Sequence, residues 1–433
     1  MSSTPYAQSL AVPKADLNST SNPGTRELAA SLVSSLYLHV PFCAHKCEYC
    51  AFYSAVPKDD LVSRYVNALV RELELIAHEV KLKTVFFGGG TPSLLNLKQW
   101  EQILQAFDRL GLLGAEEWTV ECNPATVSAD KAKLLRDFGV NRISMGVQSL
   151  DERLLDRLGR IHSREQVFKS FDTLRAAGFT NINVDLMFAI PTQTMDLWRA
   201  TLREGLALGS EHLSCYEVIY EDDTPLFEQL KAGKFEVDEE LSEAMYEELL
   251  QSAGAAGFVQ YEVANFARDV RASDSHLPLR RATDTPEGDC QPPAYACRHN
   301  MNYWRGGQSH GLGPSANGYV RGERTKNWSN TQLYCEQLER GLRAIESREA
   351  LLPLARAAEI AAFGLRMNVG WGFEEFRSGT GYDLREHWSA DMEGLVAEGF
   401  ASRTPERFYL TPRGLRFADY AAEKFLRPGK TSP

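Results

Sequence analysis

Three of the eight cysteines, Cys43, Cys47 and Cys50, fall within eight residues of one another in a C-x3-C-x2-C array. Clustered thiolates hold metal. A cubic iron–sulfur cluster takes four ligands, so three cysteines leave one iron open to a substrate or cofactor. Zinc is the alternative, because its structural sites are closed by four ligands and His39 or His45 could complete one. Cys122, Cys215, Cys290, Cys297 and Cys335 are scattered. A clustered, odd-numbered set in a chain of 433 residues points to metal ligation over a disulfide framework. Plain surface thiols are disfavoured, since exposed clustered thiols oxidise readily.

Further polar residues accompany this array. Phe87-Gly88-Gly89-Gly90-Thr91-Pro92-Ser93 contains a glycine triplet, which alone says only that backbone turns tightly or approaches something closely. It is neither a Walker loop nor a dinucleotide fingerprint. Glu121, Gln148, Arg160 and Asp185 stand at or just beyond the ends of apolar segments. Singly, each reads as well as a structural hydrogen-bonder or a solvated side chain. Further on, His299-Asn300-Met301-Asn302-Tyr303-Trp304 sets an imidazole beside flat aromatic surface, which on residue types alone reads more readily as a histidine satisfied by backbone partners among core aromatics than as an iron ligand.

The elements that must position these groups follow from periodicity. Leu36, Leu38 and Val40 alternate with Tyr37 and His39, which reads as a strand ended by Pro41. Five more strands are predicted, Thr84–Phe87, Trp118–Cys122, Arg142–Met145, Ile182–Met187 and His212–Tyr216. Helical patterns over Leu61–Val80, Leu97–Leu110, Arg164–Ala177 and Leu197–Leu208 alternate with them. This rhythm predicts an α/β fold of parallel strands joined by helical crossovers, with chemistry gathered where strands end. The acidic run Glu236–Glu248 reads as a solvated helical face. His78, His162, His276 and His387 carry no spacing signal and are assigned to the surface. Past Ser347 the pattern turns helical, with a short hairpin over 400–411 and a helix from Arg413 to Phe425, suggesting a small winged-helix-like domain.

Composition narrows the function class. Lys and Arg number 47 against 58 Asp and Glu, a formal charge of −11 that opposes binding to nucleic acid. No apolar run is long enough to span a membrane, and the Ser/Thr/Pro/Ala-rich amino terminus lacks a signal-peptide pattern. A cytoplasmic location is expected.

The segments Tyr37 to Cys43 and Cys50 to Phe52 together resemble the cluster loop of radical S-adenosylmethionine (SAM) proteins. The likeness is to the branch containing anaerobic coproporphyrinogen III oxidases and the HemW haem chaperones. It continues through Gly88 to Pro92, Glu121, Tyr216, Gly257 to Glu262 and Cys297 to Trp304. The resemblance implies a [4Fe-4S] cluster on Cys43, Cys47 and Cys50, whose open iron chelates SAM and primes cleavage to a 5′-deoxyadenosyl radical. It places Tyr37, Gly89, Gly90, Thr91, Glu121, Gln148, Arg160 and Asp185 around SAM. It also implies a partial (β/α)6 TIM-like barrel with a small, mainly helical, winged-helix-like carboxy-terminal domain. The expected division is a disordered leader over 1–34, a core barrel over 35–266, an insertion over 267–297, a haem-motif segment and connector over 298–346, and the carboxy-terminal domain over 347–433.

Two features choose between the branches. The oxidase pattern carries a fourth cysteine two residues after the third, where this chain has Phe52, which can neither ligate iron nor donate hydrogen as a thiol does. His299 to Trp304 fits the HNxxYW motif of the chaperones, whose histidine is implied as a haem ligand. A departure occurs at Asn317, where the family commonly has histidine. The resemblance therefore implies a haem chaperone with exchangeable SAM, serving an acceptor protein the sequence does not name. A coproporphyrinogen III oxidase-like enzyme is the alternative.

Overall fold

The computed structural model describes residues 32–58, 60–269 and 291–426. Most of the predicted leader and insertion thus lies outside the described residues. The first strand, β1 (Val33–Val40), buries Leu36, Leu38 and Val40 on one side and turns Ser35, Tyr37 and His39 to the other, as alternation requires. Five parallel strands come after it in order: β2 (Val80–Gly89), β3 (Glu117–Cys122), β4 (Arg142–Gln148), β5 (Ile182–Phe188) and β6 (His212–Glu217). An antiparallel pair, β7 (Phe258–Gln260) and β8 (Asn265–Arg268), extends the β6 edge, while β9 (His310–Leu312) pairs parallel to β1. The spatial order β7-β8-β6-β5-β4-β3-β2-β1-β9 leaves the sheet open rather than closed. The six-strand core matches the expected partial barrel.

Crossover helices bury one face each. The helix Leu61–Ile76 inserts Tyr65, Leu69, Leu73 and Ile76 at helical spacing. Capping boxes start Leu97–Arg109 (Asn96 with Gln99) and Arg164–Ala176 (Ser163 with Gln166). The helix predicted to reach Val80 stops at Ile76. A 3₁₀ turn, Ala77–Glu79, intervenes, and Val80 opens β2 by pairing with Val33. In the acidic helix Glu239–Ala255, Ser242, Met245, Leu249 and Ala253 face inward, and most of its glutamates stay outside.

The expectation of helix from Ser347 is overturned, because β12 (Ile345–Ala350) pairs antiparallel with β11 (Glu323–Asn327). It is the exposed edge of a three-stranded sheet with β10 (Asn317–Val320), so it shows no buried alternation. Cross-strand pairs Arg324–Glu349 at 3.1 Å and Arg348–Glu323 at 2.6 Å complement its charge pattern. Helices begin again at Pro353, and a second buried cluster around Trp371, Phe376, Trp388 and Phe425 gathers the carboxy-terminal helices against β13 (Trp371–Gly372), β14 (Ala401–Arg403) and β15 (Arg407–Leu410).

One buried carboxylate ties the barrel to its return segment. Glu72 accepts hydrogen bonds from Gly313 N–H at 2.9 Å, Asn327 Nδ2 at 2.8 Å and Tyr334 O–H at 2.7 Å. Removing it strands three buried donors. Glu72→Ala is expected to lower unfolding free energy by about 3 kcal/mol or more, read from urea unfolding. A loss below about 1 kcal/mol would contradict this role.

Candidate functional site

The cysteine loop leaves β1 and is pinned to the glycine turn at the end of β2. Gly90 N–H donates to Val40 O at 2.8 Å and Thr91 N–H to Phe42 O at 2.7 Å, while Cys43 N–H reaches Ala55 O at 3.1 Å. Thr91 Oγ1 donates to Cys43 Sγ at 3.5 Å, and Arg160 Nη1 to Cys47 Sγ at 3.6 Å. The glycines are obligatory here. A Cβ at Gly90 would lie 2.6 Å from Phe42 O, and one at Gly89, whose φ is 101°, would meet the His39 ring at 2.5 Å.

Cys43, Cys47 and Cys50 open onto one cavity of about 1000 Å³ at the carboxy-terminal ends of the parallel strands. Gly89, Gly90, Thr91, Glu121, Gln148, Arg160 and Asp185 line the same cavity. Burial, reinforced by neighbouring Asp185 and opposed by the Gly89 N–H, pushes the Glu121 carboxyl up to about 8. Burial likewise raises Asp185 to about 6, against hydrogen bonding from Asn183. Two buried carboxylates suit a ligand bearing positive charge. Gln148 sits at a β-bulge in left-handed backbone, φ 66°, and its Oε1 accepts from Tyr216 O–H at 2.7 Å. Burial opposes protonation of Arg160, yet the field of Tyr49 and Cys47 holds its guanidinium charged.

Two expected residues lie elsewhere. Tyr37 stands in the barrel interior rather than on the cavity wall. Its ring stacks on Phe86 with centroids 6.2 Å apart, and its hydroxyl meets His39 Nδ1 at 3.0 Å. His299 lies in the lumen, 1% exposed, on the short helix Arg298–Trp304. Its Nδ1 meets Ser35 Oγ and Thr84 Oγ1, each at 3.1 Å, and its ring stacks on Phe86 and abuts Tyr303. Nε2 has no hydrogen-bond partner, and burial depresses the imidazole to about 3. Glu117 holds the helix by accepting from the Arg298 and His299 N–H groups, both at 2.9 Å.

Other residues depart from expectation or were not anticipated. Phe52 is on the cavity wall and 69% exposed. His162 is only 3% exposed, not on the surface. It meets Val147 O at 3.1 Å, close enough to Arg160 that this charge helps burial depress its imidazole to about 3. A lone histidine carries no periodicity that would reveal this. Tyr216, which the family resemblance includes without assigning it to the site, also lines the cavity, as does Ser144, whose only sequence signal is position on a strand beside Asp185. His276 and Cys290 lie outside the described residues. Asn317 is exposed.

The zinc reading loses one of its two candidate histidines, while the other, His45, lies on the cavity wall with the cysteines. His39 is committed through Nδ1 to Tyr37 and through Nε2 to Tyr53 O at 2.8 Å. Among the described residues, no three His, Cys, Asp or Glu side chains converge on a single-ion site. Thiols spread over one wall beside a glycine turn without side chains and paired carboxylates fit a larger, multi-iron group with an organic ligand.

Residues 37–204 match the radical SAM superfamily, which implies a [4Fe-4S] cluster and SAM. The coproporphyrinogen III oxidase HemN from Escherichia coli shares the fold, with TM-score 0.76, 20% identity, and coverage of 93% of this chain and 92% of that one. The heme chaperone HemW of Lactococcus lactis is 32% identical over 91% of this chain and 97% of its own length. That of Escherichia coli is 31% identical over 90% and 98%. The chain belongs to the HemW family.

The raised Glu121 carboxyl gives a pH test. Its charged form is disfavoured by folding, so the stability it lends is full below its ordinary value of 4.5 and is lost as pH rises toward 8. In SAM-free protein, Glu121→Gln should therefore gain stability relative to the parent between pH 5 and pH 8, measured by urea unfolding. A constant difference across that range would contradict the assignment.

Proposed function

We propose that the chain is a cytoplasmic haem chaperone that binds haem and passes it to an acceptor protein, carrying a [4Fe-4S] cluster on Cys43, Cys47 and Cys50. Exchangeable SAM is bound by Gly89, Gly90, Thr91, Glu121, Gln148, Arg160 and Asp185, with Tyr37 supporting the site from beneath. The observation that carries the reading is near-full-length likeness to proteins named heme chaperone HemW, joined to Phe52 at the cavity wall. An aromatic ring there supplies no thiol to the cluster or to a substrate radical. When bound, the cluster offers one open iron to the amino and carboxylate groups of SAM. The backbone at Gly89 and Gly90, free of side chains, lets the carboxylate approach closely, and Glu121 and Asp185 suit the ammonium, sulfonium and ribose hydroxyls.

His299 is the proposed haem ligand. Ser35 and Thr84 orient its Nδ1, as outer partners orient metal-binding histidines, and Nε2 is left without a partner. The ring is enclosed, so ligation requires the helix Arg298–Trp304 to move outward against its Glu117 tether.

Adding haemin to anaerobically reconstituted protein should produce a Soret band. In His299→Ala, affinity should fall by about tenfold or more. In Glu117→Ala, haem association should speed up. An unchanged spectrum and affinity in His299→Ala would overturn that ligand. A second reading, an oxidase-like enzyme, is favoured by the number of polar groups gathered around the SAM cavity. Incubation with dithionite, SAM and coproporphyrinogen III separates the two. The chaperone reading expects no vinyl product; vinyl product with 5′-deoxyadenosine would establish the enzyme.

A further inference from the structure

A second cleft, of about 540 Å³, lies beside the amino-terminal ends of β2 and β9, away from the cysteine loop. Three guanidiniums (Arg321, Arg343 and Arg348) face two carboxylates (Glu79 and Glu323), with His310 between. Arg348 is matched by Glu323 at 2.6 Å. Glu79 stands 3.5 Å from His310 Nε2. Neither Arg321 nor Arg343 has a carboxylate within ion-pair distance among the described residues, and Arg343 Nε is buried without an acceptor. His310, 2% exposed, leaves its Nε2 without a hydrogen bond. A buried donor with no acceptor is costly unless something supplies one.

Arg321 carries a further sign. It opens the turn between β10 and β11 at φ 52°, with Gly322 next at φ 86°. Such turns favour Asn or Gly at the first position, so an arginine there is held in backbone that its Cβ disfavours. Strain of this kind gathers at functional sites.

We infer that this cleft binds a small phosphate-type oxyanion between the guanidiniums of Arg321 and Arg343. The forked N–H groups of arginine match such oxygens in pairs, and the anion would supply the acceptor that Arg343 Nε lacks. The inference is independent of the haem reading, since the cleft and the cysteine cavity share no lining residue and His299 lines neither. The anion is either free phosphate or the phosphate group of a small monoester.

The test is isothermal titration of the full chain with inorganic phosphate and, separately, with glycerol 3-phosphate, at ionic strength held constant with chloride. Saturable binding to one site per chain is expected, weakened by about tenfold or more in Arg343→Gln and in Arg321→Gly. Glycine adopts the turn without strain, so Arg321→Gly should fold at least as well as the parent. SAM affinity should be the same in all three proteins, which separates loss of the anion site from general damage. Tighter binding of glycerol 3-phosphate would identify a monoester; equal or weaker binding would identify free phosphate. No saturable heat beyond chloride, or undiminished phosphate binding in Arg321→Gly, would overturn the inference.

Discussion

The structure depends on how closely the backbone after β2 approaches the backbone after β1. Gly90 and Thr91 donate to the carbonyls of Val40 and Phe42, at 2.8 and 2.7 Å, and no side chain at Gly90 could be accommodated. That contact joins two loops that lie about fifty residues apart in the chain. It sets Cys43 beneath the Thr91 hydroxyl, and it leaves backbone without side chains at Gly89 and Gly90 on the wall of the cavity that the thiols enter. Parallel pairing then brings the ends of β3, β4 and β5 alongside, each contributing a polar side chain to the same space.

Gathering these side chains has an electrostatic cost that a ligand can relieve. Glu121 and Asp185 are both pushed toward protonation by burial, with their mutual repulsion adding to Glu121; the charges of Arg142 and Arg160 oppose this at Asp185, and Arg160 is partly engaged with Cys47 and Gly146 O. A cation entering the cavity would let both carboxylates ionise. Within the lumen Tyr37 meets His39 edge-on and lies tilted against His299, whose backbone N–H reaches the Glu117 tether. The helix Arg298–Trp304 is therefore in contact with Tyr37 in the interior and does not line the cysteine cavity.

Much of this was legible from residue types. Alternation at Leu36, Leu38 and Val40 marked both the strand and the placing of Tyr37 and His39 on its other face, and the polar residues toward the ends of β3 to β5 marked the rim. Reach was not legible. Tyr37 lies one strand position too deep to face the cavity, and the enclosure of His299 is set by contacts with Phe86 and Ser35, over two hundred residues away. His162 was misplaced because a single histidine has no pattern. β12 was missed because an exposed edge strand of Glu, Ser and Arg carries no alternation, and only its pairing with β11 makes it extended.

The central claim is that three thiolates hold a cluster whose remaining iron is available to SAM. Mössbauer spectroscopy of oxygen-free, iron-enriched protein, with and without SAM, tests it most directly. The account predicts that SAM shifts a single iron site and leaves the others unchanged. Spectra identical in both samples, with every iron already fully ligated by protein, would contradict it.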